Sequence, residues 1–273
     1  MALDLDKGGV AAITGTASGL GRAFALALAK RGWTLELSDI DEDQNRETAS
    51  LCVAQGATVQ TTLVDTSNSN DVRLWCDEIY KRHGRCDLLI NNAGVAGAGD
   101  VGQMSLELWE WVVNVNLMGP VYGCHHFLPR MRQAESGHII NIASIAAFAS
   151  GPSMGAYNAT KSGVVGLTET LDAELERTPL GATVACPSFF NTAIGKNTKG
   201  ANAFQQKMLD KLVTQSKISA DEIAEDILDA AEDDELYVFP QLDARAMWWV
   251  RRLLPTRFGK VMNMALRMVQ KKA

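Results

Sequence analysis

The stretch "VAAITGTASGLG", Val10 to Gly21, decides how the rest of the chain is read. Val10 to Thr14 form a short apolar run that suits a buried strand. From about Leu20 to Arg31 the apolar residues recur at helical period. Between the two, Gly15, Gly19 and Gly21 fall where a strand must turn sharply into a helix. A side chain there would block an approaching pyrophosphate, while free amides and the helix dipole favour its charge. The spacing is GxxxGxG rather than the GxGxxG of the general dinucleotide fingerprint. Its position after a first strand still points to a nucleotide.

Outward from this loop, short apolar runs alternate with helical stretches. Thr34–Ser38, Thr58–Val64, Leu88–Ile90, His138–Ala143, Ala182–Cys186 and Leu236–Phe239 read as further strands. Helices are expected near Glu42–Gln55, Ser69–His83, Leu106–Met131 and Tyr157–Arg177. Strict alternation predicts a parallel sheet with helices on both faces, a doubly wound Rossmann-type α/β domain of about seven strands. No internal repeat or low-complexity linker interrupts it. One domain over residues 1–243 and a distinct tail over residues 244–273 are expected.

Composition narrows the function. The chain has 273 residues, 47% hydrophobic content and a net charge of −6, which suits neither disorder nor a general nucleic-acid binder. Its five cysteines, Cys52, Cys76, Cys86, Cys124 and Cys186, form no CxxC and suit a reducing cytoplasm. The N-terminus "MALDLDKGG" has no basic start or apolar core, so no signal peptide is expected. No apolar run is long enough for a transmembrane helix.

At the end of the second strand, Asp39 lies about 20 residues past the loop, where an acid can accept hydrogen bonds from both ribose hydroxyls of NAD. It would repel the 2′-phosphate of NADP. No basic residue sits in the loop before Gly21 or directly after Asp39, so NAD is expected over NADP.

Four more motifs complete the pattern. They are "NNAG" (Asn91 to Gly94), "NVNLMG" (Asn114 to Gly119), Ser144 after the fifth strand, and Tyr157 with Lys161 in "GAYNATKSG". With the glycine loop, and in this order, they resemble the short-chain dehydrogenase/reductase family over roughly Gly8 to Phe239. The resemblance implies strand order 3-2-1-4-5-6-7 and hydride transfer between a nicotinamide and an alcohol or ketone. It implies Tyr157 as the proton-transferring acid/base and Ser144 as donor to the substrate oxygen. Lys161, one helical turn on, would lower the tyrosine pKa and hold the nicotinamide ribose. Asn116, rather than Asn114, would hold a water that links Lys161 to solvent. Ser18 and Leu20 would join Gly15, Gly19 and Gly21 at the cofactor. Asp65 and Thr66 would meet the adenine, and Asn92, Ala93 and Gly94 the adenosine ribose side. Pro187 and Thr192 would flank the nicotinamide carboxamide.

Two departures from the family pattern stand out. Ser188 occupies a position usually held by glycine, and a side chain there is expected to narrow the substrate side of the pocket. Thr66 stands where valine is more usual. Ala146, Met154, Phe189, Phe190 and Ile194 offer small or apolar surface, and no Lys or Arg is placed for a substrate carboxylate. An apolar or bulky secondary alcohol or ketone is therefore expected. An NADPH-dependent carbonyl reductase, and a non-catalytic nucleotide sensor on the same fold, are the competing readings. No metal is expected, since adjacent His125 and His126 lack a third ligand. The family's long helices suit a homo-oligomer, a dimer or tetramer.

The tail stands apart in charge. Residues 244–273 carry eight Lys or Arg and no Asp or Glu, so the other 243 carry 18 minus 32, or −14. Pro255 should divide it into two helices. Phe258, Val261, Met262, Ala265 and Val269 share one helical face, and Arg257, Lys260, Arg267 and Lys271 another. Such a segment either packs on the acidic body or lies on an anionic membrane surface.

Overall fold

Apolar strands buried on both faces produce the layered structure that the alternation implies. The computed structural model describes residues 3–190, 198–202, 206, 216 and 218–259. Seven strands form one parallel sheet: β1 (Val10–Thr14), β2 (Thr34–Asp39), β3 (Val59–Leu63), β4 (Leu88–Asn91), β5 (Gly137–Ile142), β6 (Leu180–Ala185) and β7 (Tyr237–Val238). Their order is β3-β2-β1-β4-β5-β6-β7. Every residue of β1 and β4 is buried, as a sheet covered on both faces requires. β1 pairs with β2 on one side and β4 on the other. Strand order reverses there, and a crevice opens at the strands' C-terminal ends.

The helices are α1 (Gly19–Lys30), α2 (Glu42–Val53), α3 (Ser69–His83), α4 (Leu106–Val113), α5 (Gly119–Ala134), α6 (Ala146–Ala149), α7 (Gly155–Leu175), α8 (Ala220–Glu232) and α9 (Leu242–Leu253). On one face of the sheet, Phe24 and Leu28 of α1 meet Ile223 and Ile227 of α8. On the other, Trp75 and Ile79 of α3 pack with Phe127 and Met131 of α5 and Leu171 of α7. Phe24 and Phe127 are fully buried, each contributing about 3 kcal/mol of apolar burial. All five cysteines are free and buried. Burial raises the Cys52 and Cys124 thiols to about 11 and Cys76 to about 12.

Two elements depart from the sequence reading. The expected helix at Leu106–Met131 is divided by a wider turn, Asn114–Met118, in which Gly119 N–H bonds to the Asn114 carbonyl five residues back. Such π-type turns cluster at functional sites. Helix α8 was not expected. Its capping box, in which the Ser219 and Glu222 side chains bond to each other's backbone N–H, is legible as S-x-x-E. The first half of the basic tail packs on the body, one of the two placements open to it. α9 starts at Leu242, buries Ala244, and packs the Trp248 ring at a tilt against Tyr237 and Phe239 with ring centroids 5.7 and 5.2 Å apart. Its other side leaves Leu242, Trp249, Leu253 and Leu254 exposed. Of the residues expected on a second amphipathic helix, Arg257 and Phe258 are described, and Phe258 is buried with the Arg251 guanidinium over its ring; Lys260 and the rest lie outside the described residues.

Candidate active site

The glycine loop is shaped by close backbone approach. A Cβ on Gly21 would lie 2.0 Å from the Gly15 carbonyl oxygen, and one on Gly15, whose φ is +75°, would lie 2.8 Å from the Cα of Ala93. Only glycine fits at both positions. The loop is sewn to "NNAG". Asn92 Nδ2 donates to the Thr14 and Gly15 carbonyls at 2.8 and 3.1 Å. Thr14 Oγ1 accepts the N–H groups of Asn92 and Ala93, both at 3.0 Å. The Thr14 hydroxyl, at the end of β1, thus joins the glycine loop to this segment, a role that nothing in the sequence marks. No side chain caps α1, so its first amides face the loop unspent. This cradle, which a Cβ would fill, fits a dinucleotide pyrophosphate.

Asp39 closes the cradle from β2. Its Oδ2 accepts the Ala17 N–H at 2.8 Å and its Oδ1 the Asp41 N–H at 2.9 Å. Arg22, directly after Gly21, is engaged by the chain itself. Its guanidinium donates to the Ala17 carbonyl at 2.7 Å and to Thr48 at 2.9 Å, and pairs with Glu47. Asp65 is exposed and accepts Ser67 N–H and O–H through one oxygen, while buried Thr66 abuts Gly119.

Ser144, Tyr157, Lys161 and Asn116 converge beside this cradle. Lys161 is 3% exposed and donates from Nζ to the Ile142 carbonyl at 2.7 Å. Its Nζ is 5.7 Å from the centre of the Tyr157 ring. A Cβ on Gly94 would sit 3.4 Å from Asn116 Oδ1 and 3.6 Å from Lys161 Nζ, so both groups border that glycine. Asn116 is buried in the wide turn, and its amide exchanges two 2.8 Å hydrogen bonds with the Val95 backbone. Asn114 is exposed.

Burial lowers the Lys161 pKa to about 8. Burial also raises the Tyr157 phenol above its ordinary value, which a hydrogen bond with Ser144 partly offsets. The sequence reading had Lys161 lower the tyrosine. In the structure its cation is tethered to β5 and faces the ring, and desolvation of the phenol dominates.

The segment after β6 carries the rest. Pro187 is buried, and its carbonyl accepts Ile145 N–H at 3.0 Å and Ser144 Oγ at 3.4 Å. Ser188 corrects an expectation. Its hydroxyl donates to Asp243 Oδ2 at 2.8 Å, so it turns toward α9 instead of narrowing the pocket. Ala146 and Met154 are half-buried, and Phe189 is exposed. Thr192 and Ile194 lie outside the described residues. A cavity of about 600 Å³ lies among Ala98, Asp100, Met104, Leu108, Ser153 and Asn202. None of Ser144, Tyr157 or Lys161 lines it. Among the described residues no cluster of three or more His, Cys, Asp or Glu could hold a metal ion.

Comparison with known proteins identifies the family to which the chain belongs. The family model described as short chain dehydrogenase matches residues 9–203. A Mycobacterium tuberculosis protein named "Probable oxidoreductase EphD" is 31% identical over 89% of this chain, which spans only 43% of that protein's length. The CLA biosynthesis dehydrogenase/reductase of Lactiplantibacillus plantarum is 32% identical, covering 83% of this chain and 85% of that protein. A short chain dehydrogenase/reductase from Burkholderia phymatum, solved in complex with NAD, superposes with a TM-score of 0.87. It shares 34% identity, over 92% of this chain and 95% of that one. Other similar solved structures hold NADP or NADPH.

Proposed function

Since the chain belongs to the short-chain dehydrogenase family and is an oxidoreductase by that membership, we propose that it interconverts a secondary alcohol and its ketone with NAD. The observation that carries this is the convergence of Ser144, Tyr157 and Lys161 beside a glycine cradle closed by Asp39. Gly15, Ser18, Gly19, Leu20 and Gly21 would hold the pyrophosphate, and Asp39 the adenosine ribose. Asp65 and Thr66 would meet the adenine, with Asn92, Ala93 and Gly94 beside it. Pro187 and Thr192 would flank the nicotinamide. When bound, the nicotinamide ring supplies the hydride acceptor or donor.

The chain's own groups handle the proton. Tyr157 donates its phenolic proton to the carbonyl oxygen in reduction and takes the hydroxyl proton in oxidation. Ser144 donates a hydrogen bond to that oxygen as charge builds on it. Lys161, held on Ile142, presents its cation to Tyr157 and the ribose, and Asn116 keeps the wide turn against Val95. Because burial favours the protonated phenol, oxidation, which needs a proton acceptor, should rise with pH. The substrate is apolar or bulky, in keeping with Ala146, Met154 and exposed Phe189. We also assign a homo-oligomer in the cytoplasm, in keeping with the free buried thiols.

A graded screen of secondary alcohols with NAD and NADP in parallel tests the reading. Tyr157→Phe should remove most turnover and leave NADH binding intact; undiminished turnover would falsify the assignment.

One observation favours an addition. Exposed Leu242, Trp249 and Leu253 on α9 lie beside exposed Arg245 and Arg252, a pattern suited to an anionic bilayer. Co-sedimentation with anionic vesicles, with and without residues 244–273, decides this; equal binding at low and high salt removes it.

A further inference from the structure

A single peptide unit joins α9 to the catalytic serine. The peptide between Pro187 and Ser188 is held at both poles. Its N–H donates to Gln241 Oε1 at 2.8 Å. Its carbonyl oxygen accepts Ile145 N–H at 3.0 Å and Ser144 Oγ at 3.4 Å. A peptide is planar, so its N–H cannot turn without turning its carbonyl. Gln241 and the Ser144 hydroxyl are therefore bonded to opposite edges of one rigid plate.

Two features mark Gln241 as more than packing. It is 8% exposed, and its Nε2 is buried with no hydrogen-bond partner among the described residues. An amide chosen for stability alone would not leave a buried donor unspent. Its orientation follows from Ser188 N–H, which needs the oxygen and not the nitrogen. A second tie, Ser188 Oγ to Asp243 Oδ2 at 2.8 Å, reinforces the same corner. That tie exists because serine stands where the family usually has glycine.

We propose that Gln241 is a positioning residue for the reaction: it fixes the Pro187–Ser188 peptide, whose carbonyl holds the Ser144 hydroxyl proton in place until the substrate oxygen takes it over. The proposal rests on the assignment of Ser144 to the substrate oxygen. It predicts that the backbone at Pro187, rather than the serine alone, sets where that hydroxyl is held.

The test compares Gln241→Met, which keeps the volume and removes the acceptor, with Gln241→Glu, which keeps an acceptor oxygen. The Met variant should lose about tenfold in kcat, the worth of one well-placed hydrogen bond, with NADH affinity and melting temperature near the parent's. The Glu variant should recover most of that loss. In a Ser144→Ala background the Met penalty should shrink to about twofold or less, because the serine it acts through is gone. An unchanged kcat in the Met variant, equal losses in Met and Glu, or a full penalty without Ser144 would each overturn the proposal. If the Met variant does not fold, Gln241→Asn, which withdraws the oxygen but stays polar, takes its place with the same expectations. Tyr157→Phe run alongside separates the two ideas. If that variant stays active, the assigned reaction is wrong; if it is dead while Gln241→Met is normal, only the positioning role is.

Discussion

The ammonium of Lys161 donates to the Ile142 carbonyl at 2.7 Å, so the cation beside Tyr157 is tethered to the C-terminal end of β5. Tethering fixes its place but does not offset its desolvation, and its pKa falls to about 8.

That depression makes stability depend on pH. Between about pH 8 and the unfolded value of 10.5, the unfolded chain keeps a proton on Lys161 that the native state has released. Native stability should therefore rise with pH through that window, by about 3 kcal/mol in the limit. Urea denaturation of the parent and Lys161→Met across the window checks this. The parent should gain relative to the variant, and parallel curves would count against it.

His138 works in the opposite half of the scale. It is 2% exposed, bonds Thr183 Oγ1 at 2.9 Å, and burial lowers its pKa from 6.5 to about 4. Asp234 Oδ1 lies 4.0 Å away but on an exposed side chain, and does not restore the charged form. The histidine's share of stability is present above pH 6.5 and lost as pH falls toward 4, up to about 3 kcal/mol. In His138→Gln the acid-side decline should be shallower, as read from melting temperatures between about pH 7 and 4.5.

Asp39 holds the Ala17 and Asp41 amides through its two oxygens. Replacing it by serine removes the repulsion toward a 2′-phosphate and loosens the loop. The ratio of kcat/KM for NADP over NAD should rise by about tenfold or more, with weaker NAD binding. A parent enzyme that already prefers NADP would remove the basis for this expectation.

Gly21→Ala puts a methyl group 2.0 Å from the Gly15 oxygen. The loop must open, so cofactor affinity should collapse and stability fall by about 1–3 kcal/mol. Thermal melts with and without NADH measure both. A variant still stabilised by NADH to the parent's extent would place the pyrophosphate elsewhere.

Much of this architecture was legible because its signals are local. Val10 to Gly21 encode strand, turn and helix in consecutive residues, and the buried strands are apolar runs. α8 went unseen because the reading passed from the sixth strand to the seventh through a polar segment, although Ser219 and Glu222 announce a helix start. The aim of Ser188 was misjudged for another reason. Its partner, Asp243, is 55 residues away, and only the fold brings α9 beneath the end of β6. Gln241 was invisible on the same ground, since nothing in its own neighbourhood marks it. The electrostatic balance at Tyr157 also required the structure. Sequence spacing sets Lys161 one turn away, but burial and the Ile142 carbonyl decide what that cation does.

The buried thiols have a practical consequence. With Cys52, Cys76 and Cys124 at about 11 to 12, and Cys86 and Cys186 also raised by burial, almost none is thiolate near neutrality. The native protein is thus a silent background for maleimide chemistry. A single cysteine placed on its surface would take a fluorophore or spin label alone, without first stripping out the five that are already there.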